Sequence, residues 1–344
     1  MKSMQWVWFF QALQVGVEKK MSKYDQPEGY DVIGDVHGHG DELLALLKKL
    51  GYYHNGVSYT HERRQVLFLG DFVDRGPAQR QVLQTVMAMC ESGAARAIMG
   101  NHEFNALAYH TEHPLGSDRW LRPRTAKNNR QHRAFLQEYS DTPDDLRNVL
   151  DWFMTLPLWL ELPEGLRLVH ACWHEPSMAR LKSSLGDGNT LTPTLLIQAS
   201  EAGSEAYEDV ETLLKGRELK LPGDVAFTDK DGFERHHIRI KWWLNEAATY
   251  ADLAMPPYVV ERNPGLQGET LPEGIDIGYG GDELPVLFGH YWFEGIAAPE
   301  ETNVACLDYS VPRASGKLVA YRWSGEKELL EGNFWSVGNI TGTH

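Results

Sequence analysis

Short apolar runs that close on a polar residue alternate along this chain with stretches of helical period, the pattern of a layered α/β fold. Residues 30–33 read as a buried strand ending at Gly34-Asp35. Residues 41–50 follow as a helix, with Leu43, Leu44, Leu46, Leu47 and Leu50 as its apolar side and Gly51 as its stop. The unit then repeats. A strand at 66–69 ends at Gly70-Asp71, a helix at 78–90 turns Val82, Val86 and Met89 inward, and a strand at 95–99 ends at Gly100-Asn101. Residues 102–153 are mostly helical in pattern and too long for a plain loop. Further strands are predicted at 166–169, ending at His170, at 286–288, ending at Gly289-His290, and at 304–307 and 318–323, so the core draws on both halves of the chain. Over 178–285 the pattern is broken by Pro193, Pro222, Pro256, Pro257, Pro264 and Pro272 and by many glycines, which reads as an insertion forming a cap or rim. The expected organisation is an amino-terminal extension over 1–28 and a single domain over 29–344 that carries the insertion.

Composition narrows the function classes. The chain has 344 residues, 42% of them hydrophobic, enough to bury a sizeable core. Its 33 Lys+Arg against 48 Asp+Glu give a formal net charge of -15, which argues against wrapping nucleic acid or lying on an anionic membrane. The cysteines Cys90, Cys172 and Cys306 are an odd number with no close spacing, which suits a reducing compartment and excludes a disulfide framework or a cysteine zinc cluster. A cytoplasmic location is expected. The aromatic stretch Trp6 to Phe10 sits in an opening segment interrupted by Gln5, Gln11 and Gln14. That segment is shorter than the roughly 20 apolar residues of a bilayer span, and no small-residue cleavage site follows. It reads as an extension, or as an upstream start preceding Met21.

Taken together, the strand ends present Asp35, His37, Asp71, Asn101, His170 and His290. Ligands of open α/β sheets gather outside the carboxyl ends of strands. Every one of these side chains offers oxygen or imidazole nitrogen and none offers sulfur, a donor set for hard or borderline divalent ions: manganese, iron, zinc or magnesium. Two such ions about 3.5 to 4 Å apart need a carboxylate between them. Asp71, in the middle of the set, is the natural bridge.

The blocks Gly34-Asp35-Val36-His37-Gly38, Gly70-Asp71-Phe72-Val73-Asp74-Arg75-Gly76 and Gly100-Asn101-His102-Glu103 resemble, in order, the three signatures of the PPP-type (calcineurin-like) metallophosphatases. Leu168-Val169-His170 and Phe288-Gly289-His290 resemble that family's later histidine-bearing strands. The resemblance implies two β-sheets packed face to face, flanked by helices, around two divalent cations, with manganese the first choice. It implies that Asp35, His37 and Asp71 hold one cation and that Asp71, Asn101, His170 and His290 hold the other, with a bridging hydroxide attacking phosphorus. His102 would protonate the leaving oxygen, Asp74 would orient that imidazole, and Arg75 would clamp the phosphate oxygens. A second phosphate-binding arginine is expected from the insertion, where Arg235 and Arg239 are candidates and Arg239 is preferred. Glu103 receives no role beyond favouring the first turn of its helix.

Singly, each of these residues has an ordinary reading: Asp before Gly as turn chemistry, a strand histidine as core, Arg75 as a surface ion pair. Their joint occurrence at strand ends reverses it. By contrast, His236 with His237, His110 with His113, and His54 with His61 read as exposed residues, Cys172 lacks a paired base, and the stretch from Trp152 to Trp159 reads as core. Trp173, Tyr291 and Trp292 are expected to form an aromatic wall favouring phosphotyrosine or a nucleobase. The resulting expectation is a metal-dependent phosphoric monoester hydrolase, in first place a phosphoprotein phosphatase acting on phosphoserine or phosphothreonine and next on phosphotyrosine, with a small phosphoester as the other substrate class. Cleavage of diadenosine tetraphosphate is the alternative, and a silent scaffold is the alternative outside enzymes. Neither nucleic acid nor membrane is an expected partner.

Overall fold

A computed structural model describes residues 27–228, 234–275 and 277–340. The stretch before residue 27, including Trp6 to Phe10 and Met21, lies outside the described residues.

Two sheets form the centre. In the first, the strands run in the order Asp308–Tyr309, Lys317–Trp323, Gly29–Ile33, Arg64–Phe68 and Ala95–Ala97, with Phe334–Gly338 also pairing on Lys317–Trp323. In the second, Val304–Cys306, Val286–Phe288, Arg167–Val169 and Trp159–Glu161 lie side by side. Gly29–Ile33, Arg64–Phe68 and Ala95–Ala97 are mutually parallel, and so are Arg167–Val169, Val286–Phe288 and Val304–Cys306.

Period-two alternation decides which faces meet. Tyr30, Val32, Leu67, Leu168, Leu287, Ala305, Val319 and Tyr321 belong to one buried cluster drawn from both sheets, the filling of the sandwich. Their chain neighbours Ile33, Phe68, Val169, Val286, Phe288, Val304 and Ala320 face the other way, into a second cluster. The helices Gly40–Lys49 and Gln79–Glu91 supply Leu43, Leu46, Leu47, Val82, Val86 and Met89 to that outer cluster. The two-sheet α/β architecture expected from the sequence is therefore the one observed, with predicted and observed elements agreeing within a few residues. Trp159–Glu161 and Phe334–Gly338 were not anticipated as strands.

The stretch 178–285 divides in two by what it buries. Leu195, Leu213, Leu214, Trp242, Trp243 and Tyr279 join the outer core cluster. The small sheet Glu218–Lys220, His237–Ile240 and Ala254–Met255 instead carries its own cluster of Leu221, Ile238, Tyr250, Ala254, Val259 and Leu266. No described helix is long and apolar enough to cross a membrane.

Candidate active site

Where the strands end, the backbone takes conformations that side chains seldom adopt. His37, Asp71, Asp74, Arg75, His290 and Trp292 all have positive φ, between 46° and 69°. Each such residue costs about 1–3 kcal/mol, and such strain gathers at functional sites. Glycines give the turns room: a Cβ on Gly289 would run into the Asp35 carboxylate, and one on Gly100 into Asp71.

These turns bring all six expected ligand side chains into one pocket. His37 Nε2 lies 3.6 Å from Asp71 Oδ2 and 4.0 Å from Asp35 Oδ2. His170 Nε2 lies 3.3 Å from Asp71 Oδ1 and 3.1 Å from Asn101 Oδ1. Asp71 shares one potential ligand group with His37 and His102 and another with His170 and His290, the atoms of each lying within 4.8 Å of one another. Asp35 also accepts from the His290 backbone N–H at 3.2 Å, and Asp71 accepts from His102 N–H, at the helix N-terminus, at 2.9 Å.

The residues fit divalent cations on two observations. The Nε2 atoms of His37 and His290 are buried with no hydrogen-bond partner, although buried ring nitrogens ordinarily find one. His37 Nδ1 donates to Val73 O and His170 Nδ1 to Leu69 O, which turns each Nε2 into the pocket, the usual arrangement of a ligating histidine. Burial, with Arg75 and His102 nearby, lowers His37 well below the ordinary imidazole range, and burial with Arg239 and His170 does the same for His290. Both rings are thereby neutral donors. The second observation is charge. Asp35, Asp71, Glu103 and Asp308 are carboxylates no more than 2% exposed, packed together. Burial, then Asp308 and Asp71, raises Asp35 well above the usual carboxylate range, a repulsion that cations would relieve.

Around this centre, His102 Nδ1 lies 2.5 Å from Asp74 Oδ2 and its Nε2 3.9 Å from Asp71 Oδ2. Arg75 is exposed, its guanidinium 4.1 Å above the Trp292 ring. Arg239, on His237–Ile240, stands over Tyr291 and close enough to His290 to influence its charge. Arg235 is exposed on Glu234–Arg235, which pairs with Phe227–Thr228 in a separate two-stranded sheet.

The aromatic wall does not form as expected. Tyr291 is a core residue, 4% exposed, packed on Trp243 and Phe288 with its hydroxyl donating to Ile240 O. Trp173 is likewise buried, beneath Arg167. Trp292 is the partly exposed one of the three, its ring 6.1 Å from that of His37, and Arg75 stacks on it; Tyr291 meets His290 only from within the core. Two histidines read as exposed are half-buried: His110 packs against His132, and His61 against Tyr52.

Three site residues escaped the sequence reading. Glu103 accepts from the backbone N–H groups of Asp71, Phe72 and Gly100 at 2.8 to 3.0 Å, so it clamps the Asp71 turn rather than merely favouring its helix. Asp308 accepts from the Trp292 and Ser310 N–H groups and sets the turn that carries Trp292. His132 donates to Asp74 Oδ1 at 2.8 Å. Glu103 closes the block Gly100-Asn101-His102-Glu103 and Asp308 directly follows the strand predicted at 304–307, so both were readable as acids near the site. No sequence pattern tied His132 to Asp74.

The calcineurin-like phosphoesterase family profile matches residues 30–193. The chain is 36% identical over 218 residues to the asymmetrical bis(5'-nucleosyl)-tetraphosphatase PrpE of Bacillus subtilis, a match covering 62% of this chain and 80% of that protein. It is 24% identical over 314 residues to the symmetrical bis(5'-nucleosyl)-tetraphosphatase of Vibrio parahaemolyticus, covering 87% of this chain and 96% of the relative. A protein serine/threonine phosphatase of Saccharomyces cerevisiae with similarity to human phosphatase PP5 superposes with a TM-score of 0.47 and 14% identity over 92% of this chain and 86% of its own. With a curated relative above 30% identity matched over four fifths of its length, and with the signature blocks converging on one buried pocket, the chain belongs to the calcineurin-like phosphoesterases, hydrolases that use divalent metal ions.

Proposed function

We propose that the chain hydrolyses phosphoric esters and anhydrides at a two-metal centre, with a dinucleoside tetraphosphate as its substrate. The observation that carries the reaction is the position of Asp71, common to the group with His37 and the group with His170 and His290. Asp35, His37 and Asp71 would hold one cation; Asp71, Asn101, His170 and His290 the other. Bound there, divalent cations supply Lewis acidity and water acidic enough to attack phosphorus at neutral pH.

The remaining work falls to the chain's own residues. Arg75, braced on Trp292, offers a planar fork to the non-bridging phosphate oxygens, and Arg239, over Tyr291, offers a second cation. As the oxygen of water joins phosphorus, the bond to the leaving oxygen breaks, and its electron pair takes the proton from His102 Nε2. The imidazole recovers a proton from solvent. Asp74 keeps Nε2 aimed at the leaving oxygen by accepting from Nδ1.

The names of the two relatives support the choice of substrate, and so does the charge pattern. Arg119, Arg122, Arg124, Lys127, Arg130 and Arg133 follow one another without an intervening Asp or Glu in a chain of net charge -15. That segment meets the His102 helix where Arg122 donates to Asn105 at 2.5 Å. A chain of phosphates is the anion such a run would attract. The second reading, a phosphoprotein, draws on the resemblance of the signature blocks to protein phosphatases. With manganese added, diadenosine tetraphosphate is expected to give a higher kcat/KM than phosphoserine or phosphotyrosine peptides. The reverse order would replace the substrate assignment while leaving the reaction intact. The products, two ADP or ATP with AMP, distinguish symmetrical from asymmetrical cleavage in the same assay.

A further inference from the structure

Asp74 is a carboxylate held between two imidazoles. Its Oδ2 faces His102 Nδ1 at 2.5 Å and its Oδ1 faces His132 Nδ1 at 2.8 Å. An ionised carboxylate only accepts, so each histidine donates from Nδ1. Burial works against the Asp74 charge, but these two hydrogen bonds outweigh it and hold the carboxyl well below its usual range.

His132 joins the helices Ala126–Gln131 and Arg133–Tyr139 and is 4% exposed. Its ring stacks on Phe135, centroids 4.7 Å apart, and its Nε2 is buried without a hydrogen-bond partner. Leaving a buried polar atom unsatisfied costs about 1–3 kcal/mol. A phenyl ring would fill the same space without that cost, so packing alone gives no reason for histidine here. What histidine adds is the proton on Nδ1.

We infer that His132 is a positioning residue for proton delivery: it locks Asp74 Oδ1 so that Oδ2 stays on His102. The Asp74 main chain, at φ 69°, is fixed by its N–H donating to Gln79 Oε1 at 2.7 Å, and His132 fixes the far oxygen of the side chain. This inference rests on the acid role proposed for His102.

The test compares phenyl phosphate, whose leaving oxygen needs a proton, with p-nitrophenyl phosphate, whose leaving oxygen needs it far less, on the manganese-loaded enzyme. For His132→Phe the expected result is a fall in kcat on phenyl phosphate of about 10- to 100-fold, a several-fold smaller fall on p-nitrophenyl phosphate, and KM within about twofold. His132→Asn, whose Nδ2 stands near the place of Nδ1 and can donate, recovers most of the loss. His132→Gln, polar but with its donor displaced, behaves like the Phe variant and so covers a failure of that variant to fold. Equal losses on both substrates, tracking the melting temperature or the metal content, would overturn the inference, as would full activity in the Phe or Gln variant. His102→Asn, run in parallel, separates the two claims. If it shows the leaving-group dependence and the His132 variants do not, only His132 loses its role; if it does not show it, the acid reading itself falls.

Discussion

Asp31 and Asp35 stand four positions apart, both are almost fully buried, and their fates differ because of what meets them. Asp31 receives Arg322 Nε at 2.7 Å and Arg64 Nε at 3.3 Å and is neutralised within the protein. Asp35 faces other carboxylates and two histidines whose Nε2 atoms have no partner, so its charge points to a cation from outside. Asp71→Asn should therefore reduce bound manganese below one ion per chain and lower activity beyond the about 10- to 100-fold typical of outer-sphere partners, checked by metal analysis and kinetics on the same sample. His102→Asn should keep the metal and slow turnover by roughly 10²- to 10⁴-fold, the range of a missing general acid. Glu103→Gln sets an amide N–H against the backbone donors that its carboxylate now accepts, and should cost about 1–3 kcal/mol in denaturant unfolding.

At the scale of elements, the strands whose ends carry ligands were legible because buried parallel strands are short apolar runs, and a polar residue directly after one has few structural reasons to be there. Trp159–Glu161 and Phe334–Gly338 were not: the first is three residues with an exposed end and the second is partly exposed along its whole length, so neither is a buried apolar run, although each pairs with a strand nearby in the chain. The small sheet at 218–255 was hidden for a related reason. Its core of Leu221, Ile238, Tyr250, Ala254, Val259 and Leu266 is assembled from scattered single residues with no period to read. Arg239 follows Ile238 on that sheet and reaches toward His290. Ile238→Ala should destabilise by about 2–5 kcal/mol and, by loosening the strand that holds Arg239, raise KM more than it lowers kcat. Unfolding curves and steady-state kinetics on one preparation would show both effects; a stability loss with unchanged KM would detach Arg239 from substrate binding.

For the whole molecule, the sandwich brings ends from both sheets to one buried pocket, at the cost of gathering Asp35, Asp71, Glu103 and Asp308 there. Cations that bind only the folded chain should stabilise it by mass action, about 2.7 kcal/mol per site at a free concentration a hundred times Kd. A chelator should thus lower the melting temperature, and manganese should restore it in the wild type but not in Asp71→Asn. An unchanged melting temperature would argue against a buried metal pair. The strand ends and the kinds of donor placed on them follow from the chain's local pattern: an apolar run closes, the backbone turns, and the next residue is polar. Which of those residues meet, that Tyr291 and Trp173 fold inward instead of lining a wall, and that His132 arrives behind Asp74 came from packing. These are contacts between distant segments, fixed by how sheets and helices pack and not by any spacing along the chain.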